Sequence, residues 1–410
     1  MPGAEATQLG EDERASLIAP RGTRLQYVDS LRVYAVALVF LIHVCEVFNP
    51  WDEWHITNDE RSRVLGEVVV LMAPWIMPLV MLLAGVSAWY ALPARDNVGY
   101  IRERTRRVLL PLVAGTLLLV PPQVWLERRL DGEFAGSLLA FYPRFFDGIY
   151  PAGNFSWHHL WFLGHLYGYS LLTLPLFRYL QRREGSRVLA MLGRIGGEPG
   201  GVMWLALPLV LERSLLWGLF PERHMLTSDW SNHALLFVAY VYGFVLAGTP
   251  SLRRAIDAQW QRALRLALLG TAALVIGTWE GVVPARLPPP YSLAYLSFWL
   301  LYGWCAWAWI VSALGFARRY LDRTGSLTKR AEARAYAWYI LHQPIIVAIA
   351  FLIVKWSAPL PAKAAVLFVT SGAGTIAATL VLRRVPAALG MAGRRQPRDR
   401  RASASRAARS

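Results

Sequence analysis

Cysteine is nearly missing from this chain: Cys45 and Cys305, both inside apolar runs, are the only two in 410 residues. So few thiols leave no disulfide framework and no cysteine-rich metal site. Lysine is almost as scarce, with Lys329, Lys355 and Lys363 alone, so nearly all the positive charge is arginine. Charged residues make up only 17% of the chain against 55% hydrophobic ones, and the mean hydropathy is +0.33. That balance is too apolar for an ordinary soluble protein and fits a polytopic membrane protein. Residues 1–23 contain no apolar core, so no cleavable signal peptide is expected and insertion should begin at the first spanning helix. The sequence has no internal repeat, no glycine-rich phosphate loop and no HxxxH or HExxH spacing. The formal net charge of +16 does not call for nucleic acid, because the basic residues fall in short clusters between apolar spans.

What is present is a series of apolar runs near 31–49, 64–90, 108–126, 158–180, 200–219, 231–249, 264–282, 291–315, 335–355 and 362–382. Each approaches or exceeds the ~20 residues needed to cross a hydrocarbon core. The expected fold is therefore all-α, a polytopic membrane domain over residues 24–385 with about ten transmembrane helices. A polar tail, 1–23, precedes it, and an Arg-rich tail of low complexity, 386–410, follows. Basic loops at 93–107, 178–198, 250–265 and 316–334 alternate with neutral or acidic ones such as 50–63. The positive-inside rule then places both termini in the cytoplasm of a cell-membrane protein.

The first span carries an unusual polar stripe. Arg32 and His43 are eleven residues apart, so on an α-helix they project within about 20° of each other, roughly 16 Å apart along the axis. Asp29 lies one turn before Arg32 and Glu46 one turn after His43. Ionisable groups at membrane depth usually face a bundle interior or a watery cavity. The alternative is a snorkelling arginine and a structural histidine. Seven of the eight histidines map toward one side of the membrane, and His342 alone falls in the inner half. A histidine-built site suits proton transfer to or from a hydroxyl. A metal site is not expected, and the adjacent His158 and His159 would diverge on a helix. The loop 127–157, rich in Phe and Tyr, reads as an aromatic belt or as a lid.

Several short motifs stand in order along the chain: Asp29-Ser30-Leu31-Arg32 with His43, Arg104-Thr105-Arg106-Arg107 before Pro111, and Pro121-Pro122-Gln123-Val124-Trp125. Trp157-His158-His159-Leu160-Trp161-Phe162-Leu163 and Tyr339-Ile340-Leu341-His342-Gln343 complete the set. Together they resemble the type-3 membrane acyltransferases, within them the branch that includes glucan-succinylating proteins. The resemblance implies transfer of an acyl group from cytoplasmic acyl-CoA to a hydroxyl of an extracytoplasmic glycan or lipid-linked acceptor. No tightly bound cofactor is implied; acyl-CoA is a donor co-substrate, and the partners are the acceptor and membrane lipid, not nucleic acid. His43 would be the general base, with Arg32 on the same stripe and Glu46 or Glu212 orienting the ring. Arg104 and Arg107 would hold the CoA phosphates, unless they serve only as topology-setting charge. Trp157, His158 and Trp161 would line the acceptor mouth, or else anchor the interface. A transporter or flippase of a polar lipid or sugar, and a non-catalytic partner in glycan assembly, remain alternatives at this stage.

Overall fold

The computed structural model describes residues 25–220, 228–279, 288–322 and 326–382. Both tails, His224, Glu280 and Arg323 lie outside the described residues. Among those described, 79% are helical and no strand occurs, which agrees with an all-α membrane fold. Helix α1 is Gln26–Glu46 and α2 is Arg63–Ala91, whose start is capped by Ser62 accepting from the Leu65 N–H. Helix α3, Asn97–Leu130, is interrupted by a π-turn at Thr105–Leu109. The bent pair α4, His158–Leu172, and α5, Leu174–Leu180, meets at 55°. Then come α6 Arg183–Gly197, α7 Leu207–Leu216, α8 Trp230–Gly248, α9 Pro250–Trp279, α10 Leu293–Tyr320, α11 Ala335–Ile353 and α12 Leu360–Leu382.

Among the described residues, seven helices are long and apolar enough to cross a membrane, or eight if the bent pair is one span. Two of the ten expected runs, 200–219 and 264–282, fall short of that test. The run at 200–219 breaks into Gly201–Trp204 and α7, with Pro208 in the first turn of α7. The described part of the run at 264–282, residues 264–279, belongs to α9, whose first sixteen residues carry Arg253, Arg254, Arg262 and Arg265. Residues 250–265, read as a loop, are therefore helical, and so is most of 178–198, as α6.

Contacts nevertheless show where these segments run. The first turns of α9 lie beside the start of α1: Asp257 pairs with Arg318, whose guanidinium covers the Tyr27 ring. The far end of α9 meets the start of α2, where Arg63 sits 4.4 Å over the Trp279 ring. Between α6 and α8 the chain travels the same way, since Gly193 abuts Thr249 while Glu212 reaches Ser231 at the opposite end of α8.

Helix α8 packs on α2 more extensively than any other pair, and α1 lies between α2 and α11. Glycine permits the α2–α8 approach. A Cβ on Gly85 would overlap the Tyr240 carbonyl, and one on Gly243 would overlap the Leu82 carbonyl. Helix α11 contacts α1, α12 and the second half of α3, and so carries its polar residues to the middle of this group.

The segment 131–157 is neither a bare belt nor an open loop. Phe141 and Phe145 are buried, and Phe134, Phe141, Phe145 and Phe155 pack ring on ring. Arg128 holds it down through Asn154 Oδ1 at 3.1 Å and the carbonyls of Pro151 at 2.7 Å and Gly153 at 2.9 Å.

Candidate active site

His43 lies on the α1 face turned to α11, and its Nδ1 is 2.8 Å from His342 Nε2. His342 is fully buried, with Nδ1 2.6 Å from the Tyr339 carbonyl oxygen one turn earlier on α11. A carbonyl oxygen only accepts, so His342 Nδ1 carries hydrogen. Neutral His342 then offers a lone pair at Nε2, and His43 Nδ1–H donates to it. That order fixes the tautomer of His43 and leaves its lone pair on Nε2. The arrangement is that of an oriented base, with an imidazole in the orienting place.

His342 is further walled by His159, ring centroids 5.3 Å apart and nearly perpendicular. His159 Nε2 donates to the Ile340 carbonyl at 3.0 Å, and the Tyr339 hydroxyl donates to the His159 carbonyl. The end of α4 where the chain enters the bundle is thereby fastened to α11. One turn on, buried Gln343 donates to Gln123 Oε1 at 3.2 Å, fastening α11 to α3. Trp54 stacks on the other side of His43 with centroids 5.8 Å apart.

A second histidine group lies across Trp54. The His55 ring is tilted against Trp54 with centroids 5.1 Å apart, and its Nδ1 is 3.0 Å from Glu127 Oε2. The His158 ring is only 3.9 Å from that of His55, and the Tyr150 hydroxyl reaches His55 Nδ1 at 3.5 Å. Burial and the Glu127 carboxylate push the Tyr150 phenol up, so it stays protonated. A third group on α4 and α8 joins His165, His233 and Tyr169: the imidazoles stack at 4.4 Å and the Tyr169 hydroxyl meets His233 Nδ1 at 3.0 Å.

The other residues singled out from sequence are dispersed. Arg32 binds Asp29 Oδ1 and Ser87 Oγ, each at 2.8 Å, linking α1 to α2. Glu46 Oε2 accepts from Asn49 Nδ2 at 2.8 Å. Glu212 accepts from Ser231 Oγ at 2.5 Å, with Arg213 Nε 3.8 Å away, in a helix packed on α8 and α10. Of the expected acceptor mouth, His158 turns to His55 while buried Trp161 sets its edge on His165. Trp157 packs partly buried against the main core.

Arg104 immediately precedes the π-turn and Arg107 lies within it, so the widened helix does not present them as a simple i,i+3 pair. The Arg104 guanidinium lies 4.8 Å over the Tyr100 ring, with Nε buried and unbonded. Arg107 is 64% exposed and pairs with Glu103 at 3.0 Å. Tyr336 of α11 donates to the Arg107 carbonyl at 2.7 Å, so the π-turn and the histidine helix are joined.

Sequence reasoning set His342 in the inner half, apart from His43; the structure puts the two rings in hydrogen-bond contact. Counting residues along each helix ignores how neighbouring helices are staggered. His55, Glu127 and His159 were not singled out as site residues; the only pointers were the motifs containing His159 and His342.

An apolar cavity of about 110 Å³, walled by Leu82, Tyr242, Ile256 and Trp307 among others, contains no member of these histidine groups. Neither a curated protein nor a solved structure matches the chain significantly. The family model described as an acyltransferase domain matches residues 25–384, almost the whole of the helical region, and the chain belongs to that type-3 acyltransferase family.

Proposed function

We propose that this protein is a membrane O-acyltransferase that moves an acyl group from acyl-CoA to a hydroxyl of a glycan or similar acceptor, with His43 as general base. The observation that carries this reading is the hydrogen-bonded series from the Tyr339 carbonyl through His342 to His43, which sets the His43 lone pair on Nε2. In the reaction, Nε2 takes the hydroxyl proton as the oxygen attacks the thioester carbon. The tetrahedral intermediate collapses with cleavage of the C–S bond, and the proton on His43 passes to the leaving thiolate. The imidazolium that forms in between keeps its Nδ1–H on His342. Arg104 and Arg107 hold the CoA phosphates: Arg104 has an unbonded buried Nε, and Arg107 is the exposed member. The glycan acceptor and the kinship with glucan-succinylating proteins rest on the motif resemblance.

The same reading gives ten crossings with both termini cytoplasmic. The course of α9 and of the broken segment 198–220 supports it, since each runs between opposite ends of the bundle although its apolar content falls short. The basic segments at 93–107, 178–198, 250–265 and 316–334 then share the cytoplasmic side of a cell membrane.

The test is release of CoA from acyl-CoA by the purified protein with a hydroxyl acceptor. His43→Gln keeps size but cannot accept a proton at neutral pH, so it should be nearly inactive while remaining folded. A folded Gln variant with wild-type transfer would end the general-base reading.

A further inference from the structure

The group across Trp54 has a chemistry that acyl transfer by His43 does not use. His55, Glu127 and His158 each offer one ligand atom, and these three atoms all lie within 4.8 Å of one another. They come from three places in the chain: the segment after α1, the last turns of α3, and the first residue of α4. The His55 and Glu127 side chains are only 12% and 9% exposed, so water does little to satisfy them.

His158 is the most informative of the three. It is 6% exposed, and its Nε2 is buried with no hydrogen-bond partner. Its Nδ1 lies 3.2 Å from Ser156 Oγ, which already accepts the His158 backbone N–H at 3.0 Å. A hydroxyl oxygen with two lone pairs can accept both; in the tautomer that uses this, Nδ1 carries the hydrogen and Nε2 presents a lone pair. Metal-bound histidines have this pattern, with the far ring nitrogen donating to an outer partner. His158 also adopts φ 42°, the left-handed region that a residue with a Cβ seldom occupies. Such backbone strain gathers at ligand clamps.

The other two groups are poised in a matching way. His55 Nδ1 and Glu127 Oε2 share one hydrogen at 3.0 Å. A tautomer change that moves it to His55 Nε2 leaves two lone pairs facing one gap. Their spacing is close to the ~3.3 Å edge of a tetrahedron with bonds of about 2.0–2.1 Å to zinc. Arg128, the nearest cation, is 3.9 Å from Glu127 Oε1 but directs its other donors to Glu133, Asn154 and the carbonyls of Pro151 and Gly153.

We propose that His55, Glu127 and His158 form a binding site for a divalent transition metal of the zinc type. Two imidazoles and one carboxylate leave a fourth position for water or an acceptor oxygen. The ion clamps the segment after α1 and the entry to α4 onto the end of α3, and so holds Trp54 against His43. None of this depends on the His43 reading.

The experiment uses the full-length protein in detergent, stripped with chelator and titrated with Zn²⁺ by calorimetry and with Co²⁺ by visible absorption. Expected are one ion per chain, a tetrahedral Co²⁺ spectrum, and a melting temperature raised by Zn²⁺. His158→Gln and Glu127→Gln should abolish the spectrum. Ser156→Ala, which removes only the outer partner, should weaken binding roughly 10–100-fold without loss of fold. His233→Gln, in the neighbouring histidine group, should bind as wild type. No saturable binding by folded wild-type protein, or binding unchanged in Glu127→Gln and Ser156→Ala, would overturn the proposal.

Discussion

The two histidine groups that meet at Trp54 are the same residue type anchored in opposite ways. In one, His342 is tied to a main-chain carbonyl, which can only accept, and so passes a proton order on to His43. In the other, His55 meets a carboxylate, and His158 is held by a hydroxyl while its outer nitrogen is buried without a hydrogen-bond partner. On the readings proposed above, a carbonyl anchor yields one defined base. A carboxylate beside two imidazoles yields a nest for a cation. The partner of each ring nitrogen, more than the presence of the ring, decides its chemistry.

That contrast can be broken most sharply at His43. Replacing it with Gln should cost roughly 10²–10⁴ in acyl-transfer rate. The wild-type rate should fall toward acid pH, where a protonated imidazole has no lone pair, and the residual rate of the variant should lose that dependence. His342→Ala comes next, because it removes only the orientation of His43. A loss on the order of 10²-fold in kcat is expected, with KM for acyl-CoA little changed. An equal loss in both parameters would make His342 a structural residue instead.

Farther from the rings the expected effects shrink. Replacing Arg104 and Arg107 with Ala should raise KM for acyl-CoA by roughly 10-fold or more while kcat holds, since phosphate contacts are remote from the reacting carbon. Unchanged KM at low salt would remove these arginines from the donor site. Tyr339→Phe deletes the hydroxyl that reaches the His159 carbonyl but leaves its own carbonyl on His342. It should lower stability by about 1 kcal/mol and spare the rate, read by thermal unfolding beside the same assay.

Periodicity made the helical architecture legible, because it follows from residues within one helix; the Arg32–His43 stripe is not so simple, since Arg32 turns to Ser87 of α2 and His43 to His342 of α11. It could not reveal His342 as the neighbour of His43, which depends on the stagger between α1 and α11. His55 carried no signal at all: it sits in an irregular segment, and its meeting with Glu127 and His158 is wholly tertiary. Apolar content alone drew the runs at 200–219 and 264–282 as continuous spans. It did not show that the first breaks before α7 or that α9 begins fourteen residues earlier with an arginine-bearing half.

The glycine crossing of α2 and α8 has a mechanical meaning. Where two backbones touch, there is no side chain to change rotamer, so neither helix can slide or tilt without a clash. These two helices form the fixed frame of the molecule. On the acyl-transfer reading proposed above, a thioester entering at one end and an acceptor at the other would be admitted by parts joined through side chains. Helix α11 is such a part, attached by Tyr336, Tyr339 and Gln343 to α3 and α4, and it carries the ring that orients His43. Substrate admission and orientation of the base would then be governed by one movable rod.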